Sequence, residues 1–274
     1  MKQRLLTALI GVPLTILVIV FSHTLVWEAA VLLFTIVGIY EALKCVGLKN
    51  NIYISMLSYL YGVCAVIFSY NTYEFMYYIT SCYVILILGA CVFFKNKIPF
   101  NDIAALSVIS VYVVNGMFSL IALRRTASIG LFLIFFIFIG AWITDGFAYF
   151  VGRAFGKHKL IPEISPKKTV EGAIGGIVFG VISYLIFGFI ISYFFKYQVN
   201  YFALTVVGIV VSLFSMLGDL ILSCLKRAYN IKDFGNLLPG HGGVLDRFDS
   251  IFSISPILLM AVSLNAGDVF YLIK

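Results

Sequence analysis

The chain has 274 residues, of which 62% are hydrophobic and only 11% are charged, and its net charge is +7. Because a soluble globular domain carries about 25% charged residues, this composition excludes a water-soluble enzyme, a disordered protein and a secreted disulfide scaffold. The five cysteines lie in or beside apolar stretches without a Cys-x-x-Cys pair. That distribution is typical of small buried side chains and not of a metal or redox site.

Apolar stretches of about 20 residues, the length that crosses a bilayer as a helix, follow one another along the chain. The first is interpreted as a helix and not as a cleaved signal peptide, because no Ala-x-Ala site precedes the next span. The sequence thus predicts an all-α, polytopic integral membrane protein with about nine transmembrane helices, eight being the alternative. The predicted spans are residues 5–22, 25–43, 52–70, 75–94, 103–123, 129–151, 170–195, 200–225 and 250–267.

The basic residues are distributed unevenly between the two sides of the membrane. With a cytoplasmic N-terminus, 15 of the 19 lysines and arginines fall on the cytoplasmic side, as the positive-inside rule expects. Membrane topology then explains the positive charge, and we expect no nucleic-acid partner. Residues 1–130 have short connections and few acids and are interpreted as a scaffold. Residues 131–274 contain two long polar cytoplasmic loops, 152–169 and 226–249, and we expect the catalytic region there.

Four aspartates lie in or at the ends of the predicted C-terminal spans. An acid in a membrane span costs about 2.5–3.5 kcal/mol, so it usually marks a functional site. The predicted topology brings these four to one membrane level, and clustered carboxylates without Cys or His neighbours favour Mg²⁺ or Mn²⁺. The alternative is hydrogen bonding between helices. The four residues are Asp145, Asp219, Asp246 and Asp249.

The predicted span around Asp219 has a polar stripe at helical spacing, which must face the protein interior in a bilayer. Lys226, Arg227 and Arg247 lie beside the aspartates in the sequence and suit the binding of phosphates. Acids for a metal and bases for phosphates together indicate phosphoryl transfer. The stripe consists of Ser212, Ser215, Asp219, Ser223 and Lys226.

The first polar loop contains a candidate anion site. Ser165 followed by Pro166 predicts a helix that begins here, with Ser165 as its N-cap. Lys167, Lys168 and Thr169 would then lie in the first turn, where backbone N–H groups attract an anion. The alternative is a basic turn at the interface that serves only topology. Glycines at positions 172, 176 and 180 predict close packing of the helix that follows.

The second polar loop contains three glycines around one histidine, in the segment Pro239-Gly240-His241-Gly242-Gly243. Such a backbone bends tightly and directs several N–H groups at an anion. It is neither a P-loop nor a dinucleotide-binding motif. A lone histidine is usually a structural hydrogen-bonding residue, but here we expect His241 to lie near a substrate phosphate.

This second loop resembles the signature of phosphatidate cytidylyltransferases, with no departure from the pattern, and the first loop resembles the same family. The resemblance implies a Mg²⁺-dependent membrane enzyme that joins CTP to phosphatidic acid and releases pyrophosphate. The matching residues of the second loop are Ser223-Cys224-Leu225-Lys226-Arg227, Lys232-Asp233, Gly235, Leu238-Pro239, His241-Gly242-Gly243 and Asp246-Arg247-Phe248-Asp249. Those of the first are Asp145, Gly152-Arg153, Ser165-Pro166, Lys168-Thr169 and Glu171-Gly172.

The residues and the resemblance together lead to a hypothesis about individual roles. Asp219 and Asp246 would hold the metal, with Asp249 and Asp145 either as further ligands or as residues that contact the ligands, and a second cation is left open. The candidate catalytic residues are Asp219, Asp246, Asp249, Lys226, Arg227 and His241. The candidate substrate-binding residues are Ser165, Lys167, Lys168, Thr169, Ser223, Gly242, Gly243 and Arg247.

The expected partners are CTP, phosphatidic acid and the bilayer of a bacterial inner (plasma) membrane, with the active site facing the cytoplasm. The oligomeric state is open, and a homodimer is one alternative. Among other functions, an ion-coupled transporter would also place carboxylates in a membrane, and a CDP-alcohol phosphatidyltransferase would be a related lipid enzyme. A structural scaffold would not need the glycines, histidine and acids of the loops.

Overall fold

The computed structural model describes residues 13, 15–70, 73–94, 97–237, 242–263 and 272–273. Most of these residues are helical, including residues 15–20, which precede the helices named below. The helices are α1 (Leu25–Cys45), α2 (Ile52–Ile67), α3 (Tyr73–Phe93), α4 (Phe100–Arg124), α5 (Gly130–Phe155), α6 (Val170–Phe195), α7 (Tyr201–Ala228) and α8 (Leu245–Ser263). Two short strands, β1 (Lys159–Ile161) and β2 (Ser165–Thr169), lie between α5 and α6.

Six of the described helices are long and apolar enough to cross a membrane: α1, α3, α4, α5, α6 and α7. The 16-residue α2 is apolar but shorter. The prediction of a helical membrane protein is confirmed. The count of nine spans stays a prediction, because most of the first predicted span, 5–22, lies outside the described residues.

The segment before α6 corrects the predicted helix start. Ser165 to Thr169 form strand β2, which pairs antiparallel with β1, so Lys167 and Lys168 do not lie in a helical turn. Proline has a fixed φ that suits an extended strand as well as a first helical turn, and here the pairing with β1 decides. The helix begins at Val170, and Thr169 is its N-cap, with a side-chain oxygen that accepts from Gly172 N at 3.1 Å.

Glu171, in the first turn of α6, holds the start of this hairpin. Its carboxylate accepts hydrogen bonds from the backbone N–H groups of Lys157 and His158, and it lies 2.6 Å from His158 Nδ1. The loops are also shorter than predicted. Helix α5 continues to Phe155, α7 includes Lys226 to Ala228, and α8 begins at Leu245.

The described chain forms two compact units. The first contains the described residues up to Ala122 together with Lys226–Phe248. The second contains Leu123–Leu225 and the described residues from Asp249 onward. The second polar loop therefore groups with the N-terminal helices, whereas the β1–β2 hairpin belongs to the second unit.

Close packing of α5 against α6 depends on glycines, as the four-residue spacing predicts. A Cβ at Gly172 would lie 2.5 Å from the carbonyl oxygen of Ala148, and one at Gly176 would lie 2.9 Å from that of Thr144. These contacts are shorter than real Cβ atoms make, so the two backbones approach each other only because no side chain intervenes.

We expect the Gly176→Leu substitution to destabilise the second unit, because the new side chain would push α5 away from α6. Overpacking of this kind costs roughly 1–3 kcal/mol, which a thermal-unfolding measurement in detergent detects as a lower midpoint. Gly89→Leu is the matched control, since a Cβ at Gly89 in α3 meets nothing within 4 Å. Equal midpoints for the two variants would contradict the packing role.

Candidate active site

In the second unit, a half-buried ion pair joins α7 to strand β2. Asp219 Oδ2 lies 2.7 Å from Lys168 Nζ, and Asp219 Oδ1 accepts from Ser223 Oγ at 3.2 Å. Lys168 Nζ also lies 3.4 Å from the carbonyl oxygen of Met216. Alternate side chains of a strand point to opposite faces, so β2 directs Lys168 toward α7 while the neighbouring Lys167 is exposed.

A second carboxylate, that of Asp145 on α5, belongs to the same group. Ser250 Oγ lies 3.1 Å from Asp145 Oδ2 and 3.1 Å from the carbonyl oxygen of Ser215. Asp145 is close enough to Asp219 and Lys168 to interact with both charges. The Ser215 hydroxyl is fully buried and near Asp145, but it makes no hydrogen bond of normal geometry with a described residue. We call Asp145, Lys168, Asp219, Ser223 and Ser250 the Asp219 cluster.

In the first unit, Asp246 organises the start of α8. Its Oδ2 accepts from Phe234 N at 2.8 Å and from Gly243 N at 3.0 Å, and its Oδ1 lies 2.8 Å from Lys226 Nζ. The Asp246 side chain is 3% exposed and that of Lys226 15%. Lys226 Nζ also lies 5.6 Å from the centre of the Phe234 ring, which attracts a cation. Two backbone N–H groups and one lysine therefore stabilise this buried charge.

Glu41 of α1 also contacts this loop, and the sequence did not lead us to expect a role for it. It is 2% exposed, and its carboxylate oxygens accept from Val244 N at 3.0 Å and from Leu245 N at 2.8 Å. An available signal was the position of this acid inside a predicted span, whose other charged residue, Glu28, lies near its start. Because residues 1–130 were interpreted as a scaffold, Glu41 was not considered as a site residue.

The beginning of the second loop is also tied to an N-terminal helix. Tyr229 donates its hydroxyl proton to Asp102 Oδ1 on α4 at 3.0 Å. Burial, together with the hydrogen bond and charge of Asp102, raises the pKa of Tyr229 to about 12. The phenol therefore remains a hydrogen-bond donor at neutral pH.

The remaining predicted site residues occupy different positions. Thr169 serves as the cap of α6, and Ser165 lies in strand β2. Gly242 has a φ of 83°, which favours glycine. His241 lies outside the described residues. Arg227 is in α7, and Arg247 and Asp249 are in α8.

The oxygen donors of the Asp219 cluster fit a hard divalent cation. Among the described residues, no group of three or more His, Cys, Asp or Glu side chains could hold a metal, and the four predicted aspartates form no such group. Mg²⁺, however, usually takes one or two protein carboxylates and completes its shell with substrate phosphates and water. Asp145 and Asp219, with the buried hydroxyl of Ser215 beside Asp145, match that smaller set.

Comparison with known proteins finds bacterial relatives that share one name. The chain is 39% identical over 181 residues to the phosphatidate cytidylyltransferase of Bacillus subtilis, an alignment that covers 66% of each chain. It is 40% identical over 173 residues to the enzyme of that name from Staphylococcus saprophyticus, covering 63% of this chain and 64% of the relative. A Staphylococcus epidermidis relative of that name is 42% identical over 173 residues. The chain thus spans slightly less than two thirds of the length of these relatives.

The match to a family of proteins extends further along the chain. A model of the cytidylyltransferase family matches residues 2–265, which include both polar loops and the Lys–Asp pairs of both units. The chain belongs to the cytidylyltransferase family.

Proposed function

We propose that this membrane protein is a phosphatidate cytidylyltransferase, which transfers CMP from CTP to phosphatidic acid and produces CDP-diacylglycerol and pyrophosphate. The observation that carries the proposal is the Asp219 cluster of this cytidylyltransferase-family chain, in which two carboxylates on apolar helices lie together with a lysine of strand β2. Acids and bases held in apolar surroundings suit a substrate that is both a lipid and a phosphate. The names of the bacterial relatives support the same activity.

In this reaction a phosphate oxygen of phosphatidic acid attacks the α-phosphorus of CTP. A new P–O bond forms as the bond to the oxygen that bridges the α- and β-phosphates breaks, and its electron pair leaves with pyrophosphate. The attacking oxygen is already ionised, so the reaction needs neither a general base nor a covalent enzyme intermediate. The protein has to align two anions and neutralise their charge.

Lys168 and Lys226 are the cations that we assign to this task. Each is held by one aspartate, Asp219 or Asp246, so its ammonium group is already oriented when a phosphate arrives. We further propose that His241, Gly242 and Gly243 line the leaving pyrophosphate, and that Arg227 and Arg247 bind phosphates.

We propose that Asp219 and Asp145 hold Mg²⁺ together with oxygens of the CTP triphosphate. Bound Mg²⁺ would neutralise the charge that develops on the triphosphate. Asp246 contributes differently, because Phe234, Gly243 and Lys226 already donate three hydrogen bonds to its carboxylate. We therefore assign Asp246 chiefly to holding Lys226 and the loop.

We propose an inner-membrane location with the polar loops on the cytoplasmic side, where CTP is present. The supporting observation is the charge asymmetry, since 15 of the 19 basic residues fall on that side of the predicted topology. Phosphatidic acid in the inner leaflet would then enter sideways, with its acyl chains still in the bilayer.

The proposal is tested with purified protein in detergent, radiolabelled CTP, phosphatidic acid and a Mg²⁺ series. We expect a lipid-soluble cytidine product and one pyrophosphate per product, and we expect EDTA to abolish both. Absence of product, combined with solute accumulation in sealed vesicles, would favour a transporter. Release of CMP from CDP-diacylglycerol and an alcohol would favour the related transferase. Light scattering on the same sample tests whether the protein forms a homodimer.

A further inference from the structure

We propose that Glu41, from the N-terminal helix α1, is a positioning residue that fixes the backbone on which Asp246 and Lys226 are held. The inference rests on the proposed cytidylyltransferase function and adds to it a residue outside both polar loops. Glu41 acts through the backbone around Asp246, and we assign it no contact with substrate.

The first step of the argument is the contact itself. The Glu41 carboxylate is buried and accepts the N–H groups of Val244 and Leu245, at 3.0 and 2.8 Å. These N–H groups lie at the N-terminus of α8, where the helix supplies no acceptor of its own. A negative charge at this position also interacts favourably with the helix dipole. Glu41 therefore caps α8 from a helix that is 203 residues away in sequence.

The second step is that the loop is shaped around this carboxylate. A Cβ at Gly235 or at Gly243 would overlap the Glu41 carboxylate group. Both positions are consequently restricted to glycine as long as Glu41 keeps its present place. A side chain that served only to fill space in the scaffold would not need two glycines on the other side of the contact.

The third step connects Glu41 to the Lys226–Asp246 pair. Gly243 packs on Glu41 and also donates its N–H to Asp246 Oδ2 at 3.0 Å. The other oxygen of Asp246 is the one that holds Lys226 at 2.8 Å. A movement of Glu41 would therefore displace Gly243, then Asp246, and finally the ammonium group of Lys226, which we assign to a phosphate of CTP.

The test compares full-length Glu41→Gln with Thr35→Val in detergent. Thr35 is a fully buried residue of the same helix whose hydroxyl donates a hydrogen bond within α1, to Val31 O at 2.7 Å. The glutamine amide offers one acceptor and places an N–H₂ group against a backbone donor. Since a misplacement of about 1 Å costs roughly 10²-fold, we expect kcat/KM for CTP to fall about 30- to 100-fold. The KM for phosphatidic acid should stay within twofold, and Thr35→Val should match the unchanged protein.

Hydrogen exchange supplies a measurement that does not depend on activity. We expect the amides of Val244 and Leu245 to exchange at least tenfold faster in Glu41→Gln and to be unchanged in Thr35→Val. If the unchanged protein makes no cytidine lipid, the proposed function fails, while hydrogen exchange still decides the role of Glu41. Wild-type CTP kinetics or unchanged exchange in folded Glu41→Gln would overturn the inference, as would equal increases in the KM for CTP and the KM for phosphatidic acid.

If Glu41→Gln does not fold, Gly235→Ala tests the same contact from the loop side. Its methyl group would displace the carboxylate, so we expect the same selective loss toward CTP, whereas Gly89→Ala in α3 should have none. In the Glu41→Ala background the added methyl group meets no carboxylate. We therefore expect Gly235→Ala to lower kcat/KM for CTP by less than a further threefold in that background. Multiplication of the two losses would show that the residues act independently and would contradict the proposal.

Discussion

Replacement of Asp219 by asparagine is expected to reduce CMP transfer by a factor of about 10²–10³, comparable with the loss seen when one preorganised active-site hydrogen bond is removed. The neutral amide would remove the carboxylate that lies 2.7 Å from the half-buried ammonium group of Lys168, and the charge of Asp145 would be left to balance that lysine. It would also remove one of the two carboxylates that we assign to Mg²⁺. We therefore expect both a lower kcat and a shift of half-maximal activity to higher Mg²⁺ concentration.

The matched control for Asp219→Asn is Asp102→Asn, which makes the same chemical change at the hydrogen bond between α4 and Tyr229. It should keep the Mg²⁺ dependence of the unchanged protein. Ser223→Ala separates charge from hydrogen bonding, because it removes one donor to Asp219 and leaves the charge in place. We expect a loss below tenfold for it. Near-normal activity of Asp219→Asn with an unchanged Mg²⁺ requirement would contradict the assignment.

Lys168→Met tests whether the two members of the pair act together. If Lys168 is effective only while Asp219 orients it, the double variant should be no worse than the more damaging single variant. Multiplicative losses would indicate that the two side chains serve separate substrates. The outcome matters because pairing alone does not distinguish a cation that binds phosphate from one that only balances a buried acid.

The polar stripe of α7 could be predicted from the sequence because its cause is local. Asp219 and Ser223 are four residues apart, and one helical turn brings their side chains within hydrogen-bonding distance. A bilayer leaves such groups only the protein interior to face. The helical spacing and the need for burial therefore predict the same inward-facing stripe. The predicted span 200–225 also lies close to the observed bounds of α7, Tyr201–Ala228.

The start of α6 could not be predicted in the same way because two local solutions compete. Ser165 before Pro166 and Thr169 before Val170 both satisfy the requirements of a helix N-terminus. The choice is made by the pairing of β2 with β1, which depends on residues 159–161 and on the contacts of Glu171 with Lys157 and His158. A signal of this kind is not contained in the five residues of the strand.

Glu41 illustrates a third situation, in which the partner is distant in the sequence. Val244 and Leu245 offer only backbone N–H groups, and no residue type reveals that a glutamate from α1 will cap them. The glycines at 235 and 243 are necessary for the contact but are equally compatible with an anion-binding loop. Sequence reasoning thus identified the loop and missed the residue that holds it.

The largest combined effect on activity and stability is expected for Asp246→Asn. The carboxylate of Asp246 is 3% exposed and accepts two backbone N–H groups as well as the ammonium group of Lys226. An asparagine can satisfy only part of this set, because its N–H₂ group must face either a backbone donor or the lysine. Breaking a buried pair by removing one partner costs about 3–5 kcal/mol, so we expect a lower thermal midpoint together with a loss of at least 10²-fold in kcat/KM for CTP.

Lys226→Met separates these two effects, because it leaves Asp246 with both of its backbone donors. We expect it to lose CTP turnover about as severely as Asp246→Asn but to unfold at a higher temperature. Glu74→Gln, at an exposed acid of α3, should change neither quantity. Retention of CTP turnover by Lys226→Met would mean that Lys226 serves only to neutralise Asp246, and the assignment of a substrate phosphate to this lysine would be wrong. If Lys226→Met loses as much turnover as Asp246→Asn but less stability, the loss of turnover comes from the lysine itself, as the assignment to CTP requires.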